Sequence, residues 1–137
     1  MNRRRWFLAG LAAFAAIFVL DLIVHGKLLM GLYDETAFIW RAKPEAQQKM
    51  WLMTLGQLLF ALALAWFYTL GYEPKKQGLG QGLRFGLYAG ILLTAAQNFV
   101  WYVVLPIPFV LNLAWLASTF IDTLAAGALV GVLYRSK

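Results

Sequence analysis

The chain has 137 residues, of which 62% are hydrophobic and 13% are charged, and its formal net charge at pH 7 is +6. Charged residues make up about 25% of a soluble domain, so this composition excludes an ordinary water-soluble domain and favours a membrane protein. The sequence contains no cysteine, which excludes disulfides and thiolate metal sites. Most basic residues flank apolar runs, where membrane orientation and anionic lipid explain them, so no nucleic-acid partner is expected.

Four apolar runs predict a single transmembrane domain over residues 1–137. A helix that crosses a membrane needs about 20 predominantly apolar residues. The expected fold class is therefore all-α, an integral membrane four-helix bundle. The predicted helices cover roughly residues 6–25, 45–72, 83–105 and 108–134, with an apolar loop at 26–44 and a polar, glycine-rich loop at 73–82.

The first predicted helix follows Arg3, Arg4 and Arg5 and contains one acidic residue, Asp21, near its far end. Asp21 and His25 are four residues apart, so they share one helix face. A carboxylate beside an imidazole is typical of a proton-handling or cation-binding site, because the carboxylate favours the charged ring. The alternative is a hydrogen-bonded pair at the membrane interface that only anchors the helix end.

The loop at 26–44 is unusually apolar and includes Leu32, Tyr33 and Trp40. Such a segment is expected to lie in the membrane interface as a short amphipathic helix, or to fold back towards the bundle. Pro44 suits the first turn of the second helix, where a missing backbone N–H costs nothing.

Small residues at four-residue spacing predict where helices pack closely, because they let two backbones approach each other. At about 100° per residue, Thr94 and Gln97 lie on the same face of the third helix as its glycines. Whether each face contacts a helix of this chain or of another chain stays open. The glycines concerned are Gly82, Gly86 and Gly90 on the third helix and Gly127 and Gly131 on the fourth.

Asp122 lies near the middle of the fourth predicted helix, with Ser118 and Thr119 one turn earlier on its face. A carboxyl group at that depth takes up a proton or finds hydrogen-bond donors. The cluster is either a set of polar contacts between helices, each worth about 0.6–2 kcal/mol, or a ligand or proton site. Candidate donors on the other helices are Gln57, Gln97 and Asn98.

The distribution of basic residues predicts the orientation. If both termini lie on one side, that side carries eight basic residues and the other side carries four. The positive-inside rule then places both termini in the cytoplasm and the loop at 26–44 on the exoplasmic side. Pro106 and Pro108 predict a tight turn between the third and fourth helices, because each proline disfavours a helical conformation in the residue before it.

Catalytic chemistry finds no support in the sequence. One histidine and no cysteine do not suffice for the three or four protein ligands of a usual zinc or copper site. Hydroxyls such as that of Ser118 lie in no nucleophile-elbow pattern. No catalytic residue, no metal and no cofactor is therefore predicted.

Four short motifs together resemble a group of small bacterial inner-membrane proteins that have four helices and no assigned activity. The resemblance implies a multi-pass protein of the bacterial inner membrane and carries over no catalytic residue. It also directs attention to the exoplasmic end, where we expect the apolar loop to fold over Asp21 and His25. The motifs are Asp21-x-x-x-His25-Gly26, Thr36-Ala37-x-x-Trp40-Arg41, Pro106-Ile107-Pro108, and the run from Trp115 through Asp122 to Ala126-Gly127.

Three functions are compatible with these features. The leading hypothesis is a non-catalytic protein that self-associates or serves as a subunit of a larger membrane complex. The alternative is a small transporter or channel that acts as a homo-oligomer, with Asp122, Gln97 and Gln57 along its path and Asp21 and His25 at its mouth. The third is a membrane enzyme, or a lipid- or quinone-binding protein, that uses Asp21 and His25.

Overall fold

The computed structural model describes residues 2–134. In this range the chain forms α-helices joined by short connections, with one π-helical turn at Val24–Leu28 and one 3-10 turn at Ala37–Ile39. The all-helical fold class is therefore confirmed. The α-helices are α1 (Arg3–Ile23), α2 (Met30–Glu35), α3 (Lys43–Leu70), α4 (Gly78–Thr94), α5 (Gln97–Val104) and α6 (Phe109–Leu133).

Four helical segments in the described part of the chain are long and apolar enough to cross a membrane, as predicted. They agree with the predicted helices to within a few residues, except at the start of the third. Pro44 occupies the first turn of α3, where it was expected. The four segments are Arg3–Leu28, Lys43–Leu70, Gly78–Val104 and Phe109–Leu133.

The third segment differs from the single helix predicted over residues 83–105. It begins at Gly78, because the side chain of Gln81 donates to the backbone oxygens of Glu73 and Lys76 and thereby orders the connection that was expected to be flexible. The segment is also broken at residues 95–96, which separate α4 from α5. No proline marks that break, which lies between Thr94 and Gln97.

One half of the bundle, here called the packed half, has a continuous core. Small residues of α1, such as Ala9 and Ala13, are fully buried against α3 and α6. Tyr68 adds an aromatic cluster, with its ring edge-on to Phe85 at 5.5 Å between centroids. The other buried members of this core are Ile17, Ala61, Leu64, Ala65, Ala126, Val130 and Tyr134.

The closest helix contact joins α4 to α6 through the predicted glycines, all of which are buried. A Cβ atom added at Gly82 would overlap the backbone of Gly127, and one added at Gly86 would overlap the backbone at Thr123. A Cβ atom at Gly90 would lie 2.7 Å from the Thr123 hydroxyl oxygen. Both glycine faces therefore pack on each other within one chain.

The apolar loop forms a cap, defined here as residues 29–40, over the start of α6. Leu29 is buried in a cluster with Ile107 and Leu111. Ile107 belongs to the turn between two prolines, so the cap and this turn cover the same end of the bundle. Of the two alternatives for this loop, the cap follows the second, since it folds back onto the bundle and contains the short helix α2.

Candidate functional site

A cavity of about 620 Å³ opens in the half of the bundle opposite the packed half. It lies among α1, α3, the α4–α5 break and α6, beneath the cap. Its volume is within the range of about 300–1,000 Å³ that is usual for small-molecule sites. All eight polar residues singled out from the sequence line it: Asp21, His25, Gln57, Gln97, Asn98, Ser118, Thr119 and Asp122.

Asp21 lies at the centre of the polar wall and is held from two sides. The side-chain amide of Gln57 on α3 donates a hydrogen bond to Asp21 Oδ2. On the other side, His25 Nε2 lies 3.6 Å from Asp21 Oδ1. Gln57 and His25 therefore hold the Asp21 side chain in place within the cavity wall.

His25 is fixed by the cap through Tyr33. The Tyr33 hydroxyl oxygen lies 2.6 Å from His25 Nδ1, and the two rings stack with their centroids 6.1 Å apart. Trp115 Nε1 donates to the same Tyr33 oxygen at 2.9 Å. Because tryptophan only donates, the Tyr33 proton is free to be donated to Nδ1, which leaves the proton of a neutral ring on Nε2, towards Asp21.

The π-helical turn explains why His25 reaches this position. The Leu29 N–H bonds the carbonyl of Val24, five residues earlier, at 2.9 Å. This wider turn carries His25 and Gly26 along the cavity wall. Single π-helical turns occur frequently at functional sites, because they redirect side chains without ending the helix.

Burial raises the pKa of Tyr33 above its usual 10.0, and the nearby Asp21 charge adds to this effect, although the hydrogen bond from Trp115 lowers it. A phenol with a raised pKa stabilises the fold below pH 10 and loses this contribution as the pH rises through its folded value. We therefore expect the tyrosinate difference spectrum between the wild type and Tyr33→Phe to have its midpoint above 10.0. A midpoint at or below this value would contradict the buried position of Tyr33.

Trp40 and Arg41, which the sequence places together in the loop, have different environments. The Trp40 ring packs edge-on against Tyr33 at 5.7 Å and lies 6.0 Å from the ring of Trp115. Its Nε1 donates to the hydroxyl of buried Thr36 at 2.9 Å. Arg41 instead forms an exposed ion pair with Glu45 at 2.6 Å and lies outside the cavity lining.

Asp122 lies deepest among the charged residues of the cavity. Its carboxyl group is 9% exposed and faces Asp21 on α1 and Ser118 on its own helix. Within residues 2–134, Asp122 Oδ1 and Ser118 Oγ are buried without a hydrogen-bond partner. Thr119 Oγ1 bonds back to the Trp115 carbonyl at 3.0 Å, so it does not serve Asp122. The floor of the cavity therefore holds two polar atoms, Asp122 Oδ1 and Ser118 Oγ, that have no hydrogen-bond partner among the described residues.

Two of the three donors predicted for Asp122 bond other groups. Gln57 donates to Asp21, and Asn98 is buried and donates to the carbonyl of Asn112 at 3.0 Å. Gln97 lines the open part of the cavity and does not continue the buried glycine stripe beyond Thr94. Beyond the break at residues 95–96, Asn98 is the buried residue of α5.

The rim of the cavity is apolar and exposed. Met50 and Met53 come from α3, while Leu93 and Trp101 come from the two sides of the helix break, and each is 40% exposed or more. Outward-facing apolar residues continue over the surface of all four long segments. An opening between α3 and α4–α5 that has this rim faces the lipid phase when the helices span a membrane.

Sequence reasoning missed Tyr33 and Trp101 as parts of the site. Tyr33 was assigned to an apolar loop, and only the folding of the cap places it over His25. Trp101 lies beyond the helix break, which no residue pattern indicated. The available signal for a contact was that His25 and Tyr33, an aromatic pair with polar groups, lie only eight residues apart in the sequence.

Metal binding gains no support from the site. No group of three or more histidine, cysteine, aspartate or glutamate side chains with metal-binding geometry occurs in residues 2–134.

Comparison of the chain with protein-family models, curated proteins and solved structures finds no match. The resemblance to bacterial inner-membrane proteins therefore stays a prediction, and a function has to be argued from the cavity.

Proposed function

We propose that the chain is a multi-pass membrane protein that binds a small amphiphilic molecule from the lipid phase in the cavity between α3 and α4–α5. The main observation behind this proposal is that eight polar side chains from four helical segments converge on one cavity with an apolar rim. Polar groups inside a membrane cost free energy, so their convergence at one site favours a function over separate helix contacts. An amphiphile matches the combination of a polar floor and an apolar rim.

The packed half favours a binding site over a continuous channel. Below Asp122, the helices are filled by side chains such as Leu64, Ala65 and Val130, of which Ala65 and Val130 are fully buried. A polar path from the cavity through this half of one chain would have to cross that core. The transporter alternative therefore requires a conformational change or a second copy of the chain.

One argument for the association hypothesis is weakened, because the glycines of α4 and α6 contact each other within the chain. The association hypothesis itself stays a prediction. The apolar outer surface needs only lipid to cover it.

We further propose the bacterial inner membrane as the location, with both termini in the cytoplasm. The distribution of eight basic residues against four supports this orientation. In this orientation the cavity and the cap lie in the exoplasmic half of the membrane.

Native mass spectrometry of the protein, purified gently from its own membrane, tests the binding proposal. We expect a retained small amphiphile on the wild type and its loss from Thr119→Trp, because the larger side chain fills the cavity. Leu92→Trp is the matched control, since Leu92 is 83% exposed on the outer face of α4. A wild type without a bound molecule, or one that carries a stoichiometric foreign subunit instead, would contradict the proposal.

A further inference from the structure

We infer that the amphiphile is a monovalent organic cation, such as a protonated or quaternary amine with apolar substituents, and that it replaces a proton on Asp122. This inference rests on the proposed function, because it specifies the ligand of the same cavity. It starts from the different hydrogen bonding of two facing carboxyl groups, those of Asp21 and Asp122.

Asp21 has its donors and Asp122 does not. Gln57 donates to Asp21, and His25 Nε2 lies 3.6 Å from it. Asp122 Oδ1 has no partner in the described residues, and its carboxyl group faces that of Asp21. A buried carboxyl group without a donor at this oxygen needs either a proton or a counter-charge.

The second observation is the buried hydroxyl of Ser118. Its side chain is 4% exposed, lines the cavity and has no hydrogen-bond partner among residues 2–134. Ser118 Oγ and Asp122 Oδ1 lie on adjacent turns of α6. The serine hydroxyl both donates and accepts, so its lone pairs and Asp122 Oδ1 are open to a ligand group with N–H or polarised C–H donors.

Aromatic side chains complete the environment for a cation. Trp101, Trp115, Tyr33 and Phe18 line the same cavity. Aromatic faces attract ammonium groups by about 0.5–2 kcal/mol each, more when water is excluded. The cavity is much larger than an inorganic ion, and it lacks a three-ligand metal cluster within the described residues. These properties favour an organic cation over a metal ion.

Exchange of the Asp122 proton for the cation keeps the charges balanced. The Asp122 carboxyl group loses its proton to the bulk solvent, and the carboxylate then pairs with the cation, so the net charge of the cavity does not change. The titratable groups that line the cavity are Asp21 and His25 from the first segment, Tyr33 from the cap and Asp122 from α6. The lining side chains of α3, α4 and α5 in the described structure carry no charge.

Calorimetric titration of the full chain in detergent with tetraphenylphosphonium tests the inference, since this probe carries a permanent charge and no exchangeable proton. Buffers with different ionisation enthalpies count the protons that the protein releases. We expect release of one proton per bound cation and an affinity that rises about tenfold per pH unit while Asp122 is protonated. His25→Gln should keep this slope, because the released proton comes from Asp122.

Asp122→Asn should weaken binding of the cation by about 100-fold or more, because the counter-charge is lost. Asp122→Glu should restore most of the affinity, because the variant keeps a carboxylate at this position. Asp34→Asn is the matched control, since that carboxylate lies on α2 outside the cavity lining.

The uncharged isostere tetraphenylsilane separates this inference from the proposed function. If it binds as tightly as the cation and Thr119→Trp abolishes its binding, the cavity takes amphiphiles but the cation inference is overturned. Binding of the cation with no proton release also overturns the inference. If neither probe binds and native mass spectrometry finds no amphiphile, the proposed function fails as well.

Discussion

Replacing Gly86 with leucine is expected to destabilise the bundle by more than about 3 kcal/mol, because the new side chain has no space and the two backbones must separate. A Cβ atom alone at this position would lie 3.0 Å from Leu124 Cα and would overlap the backbone at Thr123. Thermal denaturation in detergent, followed by loss of helical signal and of soluble protein, measures the effect. We expect the melting temperature of Gly86→Leu to fall far below that of the wild type.

Gly80→Leu is the matched control on the same helix. Nothing lies within 4 Å of a Cβ atom added at Gly80, and leucine is a better helix former than glycine. This variant should keep the wild-type stability to within about 0.5 kcal/mol or exceed it. If Gly86→Leu keeps its fold and only dissociates an oligomer, the glycine contact joins two chains and the packing described above is wrong.

Replacing Trp40 with alanine is expected to release the cap while the packed half stays folded. The Trp40 ring contacts Tyr33 and Trp115, and its indole N–H bonds Thr36, so the substitution removes both apolar contact and a hydrogen bond. We estimate a local loss of about 2 kcal/mol, since the ring is only partly buried. Amide hydrogen exchange in the cap should then quicken by about 30-fold, with little change in residues of α4.

Phe38→Ala is the control for this prediction, because Phe38 belongs to the same segment and its side chain is 77% exposed. Exchange in the cap should hardly change in this variant. Equal effects of Trp40→Ala and Phe38→Ala would show that the aromatic contacts of Trp40 do not hold the cap in place. Faster exchange in α4 as well would show that the cap and the packed half unfold together.

The parts of the fold that repeat along the sequence could be predicted, and the parts that depend on a few contacts could not. Runs of apolar residues indicate four long segments because the length of a membrane helix is set by the bilayer. The glycine spacing likewise predicted a packing face on each of α4 and α6, although not that the two faces pack on each other within one chain. The break between α4 and α5 was not predicted, because residues 95–96 are two alanines without a proline and the polar residues around them, Thr94, Gln97 and Asn98, also occur within unbroken membrane helices.

For the site, the cost of polar groups in lipid was the reliable signal. It selected eight residues that the fold brings to one cavity, although Asp21 and Asp122 are 101 positions apart in the sequence. The hydrogen-bond partners were less predictable, because they depend on side-chain directions. Gln57 was expected to serve Asp122 but reaches Asp21, and Tyr33 joins His25 only because α2 folds back.

The hydrogen bond between Gln57 and Asp21 has a consequence for the order in which the membrane protein is assembled. Synthesis proceeds from the N-terminus, so α1 and α3 enter the membrane before the last helix exists. These two helices pack on each other, and Asp21 obtains its amide donor inside this first hairpin. Asp122 arrives with α6 and meets a carboxyl group that already has its hydrogen-bond donor. The chain thus never has to hold two unpartnered acidic groups in lipid at once.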